Sequence, residues 1–286
     1  MPLNQSLVGK TYGPFAPFVV DASRARAWAD ATNVVVVNDA APAMMAVAFA
    51  YPAVGAVMFD PLLGVDLMRL LHGEQDMRFV GPVVVGDTIT TTGALEFVAE
   101  TVAGELLVVA LTSKNQRGDV VVEARTSLNI RGSRQRDAHD RERADRADEA
   151  AAFDALAVGF AVDVLVDEGL AHRYAEVSGD HNPIHLDEAA AAETPFGRPI
   201  VHGVFLLAVL SKVLAHDYPG AGSVAVSLSC KFLRPVPVGS EVTVEVRVEE
   251  KIERFGHIRV KAWIYGEGRK MAAAGEAVLV PPRTAA

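Results

Sequence analysis

The chain repeats itself, and that repetition constrains its fold more than any other feature. FVGPVVVGDTIT at 79–90 is matched by FLRPVPVGSEVT at 232–243, with six of twelve positions identical at a shift of 153. Upstream, Val20-Asp21 leading to Trp28 is matched by Val166-Asp167 leading to Tyr174, at a shift of 146. The order within each half is the same: a Val-Asp helix start, a helix, a variable apolar part, then strands. A duplicated structural unit is the simplest source of such a pattern. Asp21 and Asp167 are N-cap residues by type, predicting helices over 23–31 and 168–177. Strands are expected at 76–80, 88–98, 105–114 and 120–130, and again at 224–233, 241–250, 257–265 and 272–280. These runs are β-branched and often alternating, and Pro, Gly or charged turns break them. The fold class is therefore α+β, in two tandem units. Residues 1–130 form the first and 151–286 the second, joined by a charged linker at 131–150 rich in Arg, Asp and Ala.

With 286 residues, half of them hydrophobic, the chain can bury an ample core. A net charge of −9 excludes a general nucleic-acid footprint. The lone cysteine, Cys230, excludes an intrachain disulfide framework and fits a reducing compartment, here read as the cytoplasm. It alternates with Val226, Leu228 and Phe232, as a buried thiol would. Residues 1–10 lack a basic start leading into an apolar run, so no secretory signal is expected. Residues 40–59 carry no charge, but Pro42, Pro52 and Gly55 interrupt them and acids flank them. A buried helix–turn–helix or a tunnel wall is expected there rather than a membrane span.

The chemistry concentrates in SGDHNPIH at 178–185. Asp180, Asn182 and His185 stand within six residues. Pro183 has no N–H and restrains Asn182 away from helical angles, so a helix should end near Ser178–Gly179. A tight loop would then turn both ionisable side chains toward one pocket. An acid–imidazole pair on a rigid turn is what proton transfer to and from a substrate requires. Asn182 either orients that pair or locks the loop. A metal site made of Asp180, His181, His185 and His202 competes, although Pro183 breaks any helical pairing of His181 with His185. Farther on, Gly203 opens an apolar helix predicted over 204–216. Its N–H sits at the positive helix end, unless the glycine serves only close packing. The first half has no equivalent: its counterpart region, 32–40, lacks histidine and Asn-Pro, and His72 is the only histidine before the linker.

SGDHNPIH at 178–185 followed by FGRPIVHG at 196–203 resembles the hydratase 2 motif of the MaoC-like family, the (R)-specific enoyl-CoA hydratases and related dehydratases. The strong resemblance covers 167–280. It implies two hot-dog units, each an antiparallel sheet wrapped around a central helix, forming a double hot dog. It further implies catalytic Asp180, His185 and Asn182, an oxyanion-hole glycine at Gly203, and an acyl-CoA thioester as substrate with no metal or redox cofactor. Phe196 then belongs to a loop over the pocket. Arg198, Lys231 and Arg234 become candidate contacts for coenzyme A phosphates, with Lys212 an open case. In double hot-dog relatives the degenerate half houses the acyl tail, which gives 44–59 a choice between tunnel wall and plain core. A homodimer is expected, without nucleic-acid or membrane partners. Rival readings keep the fold: a 3-hydroxyacyl-acyl-carrier-protein dehydratase, a dicarboxylyl-CoA hydratase, or a thioesterase or non-catalytic acyl-CoA-binding protein. Which of Asp180 and His185 is the base stays open.

Overall fold

The computed structural model describes residues 2–34, 39–101, 104–131 and 159–281. Of the expected linker, only Arg131 falls among them, as the last residue of a strand. The first half runs β1 (Thr11–Tyr12), β2 (Phe18–Val19), α1 (Ala22–Thr32), α2 (Ala46–Met58), β3 (Leu70–Phe79), β4 (Thr88–Thr101), β5 (Gly104–Lys114) and β6 (Val120–Arg131). The second half runs β7 (Phe160–Val166), α3 (Glu168–Ser178), α4 (Pro183–Leu186), α5 (Glu188–Ala192), α6 (Gly203–Lys212), β8 (Val224–Phe232), β9 (Ser240–Ile252), β10 (His257–Tyr265) and β11 (Met271–Val280).

One antiparallel sheet carries the strands in the order β1-β4-β5-β6-β3-β8-β11-β10-β9-β7, with β2 paired to β4. The halves meet at its centre, where β3 pairs with β8 from Glu74 opposite Lys231 to Arg78 opposite Ser227. On either side of this seam the order is the same read outward: β3-β6-β5-β4 on one side, β8-β11-β10-β9 on the other. The duplication holds down to single bonds. Gly86 N–H donates to Val20 O and Gly239 N–H to Val166 O, both at 2.8 Å. The isolated bridge of Ala40 with Val84 has its counterpart in Ile200 with Pro237.

Asp21 caps α1 by accepting from the N–H groups of Ser23 and Arg24, and Asp167 caps α3 by accepting from Leu170 N–H. Such a side-chain acceptor satisfies donors that the first helical turn leaves without a partner. Their aligned aromatics, Trp28 and Tyr174, meet edge to face with ring centroids 5.7 Å apart. Both rings are fully buried, so α1 and α3 pack together across the pseudo-symmetry. The central helices α2 and α6 are apolar on nearly every face, as largely buried helices are. One continuous core joins both halves.

Three local expectations need correction. The stretch 40–59 is not broken at Pro52 or Gly55: after a short 3-10 turn, α2 runs through both. Pro52 lies on the exposed side of the helix, where the carbonyl left without an N–H partner is cheapest to leave so. The apolar helix at 203 ends at Lys212 rather than 216 and widens into a π turn, Val213–Asp217. Strand β3 begins six residues before the expected 76, because its half-buried start does not alternate and its pairing shifts between His72 and Glu74. Among the described residues no helix is long and apolar enough to cross a membrane.

Candidate active site

Helix α3 ends at Ser178 because Gly179 takes φ 78°, a left-handed conformation that a side chain would strain. The chain then turns sharply. Asp180 N–H rests on Ser178 Oγ at 3.2 Å, and Asp180 Oδ1 accepts from Asn182 N–H at 3.2 Å. Asn182 caps the one-turn helix α4, its Oδ1 accepting from Ile184 N–H at 3.2 Å, with Pro183 at the first position. Its side chain therefore locks the loop. The expected tight loop is a capped helical turn, and it brings His185 to the same cavity as Asp180.

His185 Nδ1 lies 2.7 Å from Ile200 O. A carbonyl only accepts, so Nδ1 carries the hydrogen and Nε2 is left with its lone pair. His202 Nε2 lies 2.9 Å from Asp180 O and is likewise the donor. The two imidazoles stack with centroids 3.9 Å apart. Ligand-type atoms of Asp180, His185 and His202 all fall within 4.8 Å of one another, a span one water can bridge. The same three groups are the ones among the described residues that could hold a metal ion. His181 is not brought into that cluster; its Nδ1 is 3.8 Å from Glu176.

Electrostatics keep the imidazoles neutral. Burial lowers the pKa of His185, and it pushes His202 down to about 4, with His185 beside it adding to the effect. Burial also lowers His72 to about 4. Asp180 opposes the shift in all three cases. Burial and the Asp180 carboxylate together raise the Tyr51 hydroxyl far above its usual value, so it remains a donor.

These groups line a cavity of about 1650 Å³. Its walls come from both halves: Val47, Ala50, Tyr51, Val54 and Met58 of α2 face it together with Gly203 and Phe232. Gly203 opens α6, and its N–H has no partner among the described residues. A Cβ there would meet the Phe232 ring at 3.3 Å and His72 Cβ at 3.5 Å, a tight fit that only a small shift of the Phe232 ring would relieve. Phe196 lines the cavity with the Arg131 guanidinium 5.6 Å above its ring, and Arg234 lines it while donating to Met271 O at 2.7 Å.

The remaining candidates lie apart from the cavity walls. Arg198 is mostly exposed and 3.9 Å from Glu267, and Lys231 is exposed opposite Glu74 in the central ladder. Lys212 pairs with Asp217 at 2.5 Å. Cys230 is buried on the sheet, and burial pushes its thiol up to about 12, which suits a packing residue. Sequence reasoning missed Tyr51, His72 and Tyr174 as neighbours of Asp180. Tyr51 donates to Asp180 Oδ1 at 3.3 Å, while His72 Nε2 and the Tyr174 hydroxyl are buried with no hydrogen-bond partner among the described residues. A signal existed for Tyr51, the one hydroxyl in the uncharged stretch 40–59.

Comparisons with known proteins bear on the family and the fold. The family profile of MaoC-like domains matches residues 155–265, and that of the FAS1-like dehydratase domain region matches residues 6–124. The (R)-specific enoyl-CoA hydratase of Aeromonas caviae is 43% identical over 109 residues, 38% of this chain and 81% of that protein. The 3-hydroxybutyryl-CoA dehydratase of Methylorubrum extorquens is 40% identical over 110 residues, 38% of this chain and 69% of that protein. Among solved structures, a MaoC-like dehydratase superposes with a TM-score of 0.79 at 17% identity, covering 96% of this chain and 98% of its own. HtdX of Mycobacterium tuberculosis gives 0.71 at 19% identity, covering 94% and 99%. At such identities these structures establish the fold alone, the double hot dog over the whole chain.

Proposed function

The chain belongs to the MaoC-like dehydratase family, and from that premise we propose that it is an (R)-specific enoyl-CoA hydratase interconverting trans-2-enoyl-CoA and (3R)-3-hydroxyacyl-CoA. The observation that carries this reading is the pairing of Asp180 with His185 within 4.8 Å at the wall of a large, mostly apolar cavity. Because Nδ1–H of His185 is spent on Ile200 O, its Nε2 is the acceptor that a water between the two groups would meet.

The steps follow from that geometry. His185 Nε2 takes a proton from the water as the hydroxyl oxygen bonds to Cβ. The electrons of the Cα=Cβ bond pass to the thioester oxygen, where Gly203 N–H at the positive end of α6 meets the developing charge. The enolate collapses as Cα takes a proton passed on by the Asp180–His185 pair. Asp180 stabilises the transient imidazolium, and Asn182 keeps the loop in register. Protons move but no electrons are exchanged, so the proposed reaction runs without a redox cofactor, and the acid–imidazole pair takes the place a metal would have.

The acyl chain is assigned to the wall formed by Val47, Ala50, Val54 and Met58, and the pantetheine arm to the side of Phe196 and Arg234. A 3-hydroxyacyl-acyl-carrier-protein dehydratase would use the same groups on another carrier. Purified protein assayed with crotonyl-CoA and longer enoyl-CoAs, followed at the enoyl-thioester absorbance, tests the proposal. Hydration of CoA substrates supports it, and activity confined to enoyl groups on carrier protein would move the assignment to the dehydratase.

A further inference from the structure

The first half looks catalytically silent because it holds no Asp-Asn-Pro-His motif, yet one of its side chains reaches the catalytic acid. Tyr51 stands on α2, and its hydroxyl donates to Asp180 Oδ1 at 3.3 Å. Its ring packs 3.8 Å from where a Cβ on Gly179 would lie, so the phenol bears on the turn that presents Asp180. Oδ1 is thus held from two directions, by Asn182 N–H on its own loop and by Tyr51 from across the molecule.

Resting on the hydratase reading, we infer that Tyr51 is a positioning residue for the reaction, supplied by the non-catalytic half. By fixing Oδ1 it decides which carboxylate oxygen is left to face the water shared with His185. A free carboxylate rotates between equivalent placements. One held by two donors presents a single geometry, and a displacement of about 1 Å can cost a hundred-fold in rate. Tyr51 is an apolar wall on its ring side and a donor at its tip, which suits a residue that both borders the cavity and orders a charged group. The retained first half therefore contributes a working group to the site as well as its shape.

Tyr51→Phe keeps the ring and removes the hydroxyl. The expected result is a fall in kcat of about ten-fold with KM within two-fold of the parent, since the wall is unchanged and only the acid is released. In an Asp180→Asn background the same substitution should add nothing, because its effect runs through Asp180. An unchanged kcat, a change confined to KM, or an equal loss in both backgrounds would overturn the inference. Urea denaturation of the same four proteins reads the Tyr51–Asp180 contact without any substrate. Non-additive changes in midpoint are expected, and additive ones would also overturn it. That second measurement separates this inference from the proposed function, which fails on its own if the parent protein hydrates no enoyl thioester.

Discussion

Asp180 and His185 share one job in this account, and their variants should show it. Asp180→Asn and His185→Ala are each expected to lower kcat by about 10²–10⁴-fold. The double variant should be little worse than either single one, as measured by steady-state kinetics on crotonyl-CoA. Losses that multiply would mean independent roles. Prolonged chelation should leave the rate unchanged. A loss restored by added zinc would assign Asp180, His185 and His202 to a metal instead. The buried histidines also predict an acid limit to stability. His72 and His202 titrate near 4 in the folded protein, and His185 is lowered too, whereas an unfolded histidine takes its proton near 6.5. Below that value the unfolded chain binds more protons. The stability is therefore full above about pH 6.5 and is lost as the pH falls toward 4. Thermal melts at pH 7.5 and pH 5 should show the drop. Equal midpoints at both would contradict the buried, neutral imidazoles. That Asp180 and His185 would converge was legible because they stand within six residues around Pro183, whereas Gly203, far along the chain, was joined to them only by the His-Gly block of the resemblance. The tautomer of His185 was not legible, because it depends on Ile200 O, fifteen residues away.

At the scale of elements, capped helices and alternating strands were readable from sequence, while elements shaped by distant packing were not. Asp21 and Asp167 announce α1 and α3 through local bonds to the first helical turn. Pro52 misled, because proline's cost depends on which helix face it occupies, and only the fold sets that face. Strand β7 passed unnoticed beside the charged linker although Phe160, Val162, Val164 and Val166 alternate cleanly. Helix α2 carries the element-scale prediction. Ala50 and Val54 face the cavity, whereas Ala48 and Gly55 of the same helix do not line it. Ala50→Phe or Val54→Phe should therefore impair long-chain enoyl-CoA about ten-fold more than crotonyl-CoA, since overfilling a packed site costs about 1–3 kcal/mol. Equal losses on both substrates would indicate damaged packing, and no loss on either would place the acyl chain elsewhere.

Across the whole molecule, the repeat at shifts of 146 and 153 foretold the matched halves, but not how they join. The β3–β8 seam pairs residues 149 to 157 positions apart in the chain, and nothing local in Glu74–Arg78 or Ser227–Lys231 marks them as partners. Through that seam the second half borrows the β3 edge, the α1 face against Tyr174, and the cavity wall with Tyr51. Residues 151–286 expressed alone should therefore self-associate or precipitate, because they expose an unpaired strand and an apolar face. A stable monomer in light scattering would show that the halves are independent.

The central claim is that this site adds water across an enoyl thioester. Following crotonyl-CoA at its enoyl-thioester absorbance, with free thiol measured in the same reaction, tests it most directly. The account predicts loss of the absorbance, the (3R)-3-hydroxy product, no thiol release, and near abolition in Asp180→Asn. Thiol release, or an Asp180→Asn protein as active as the parent, would contradict it.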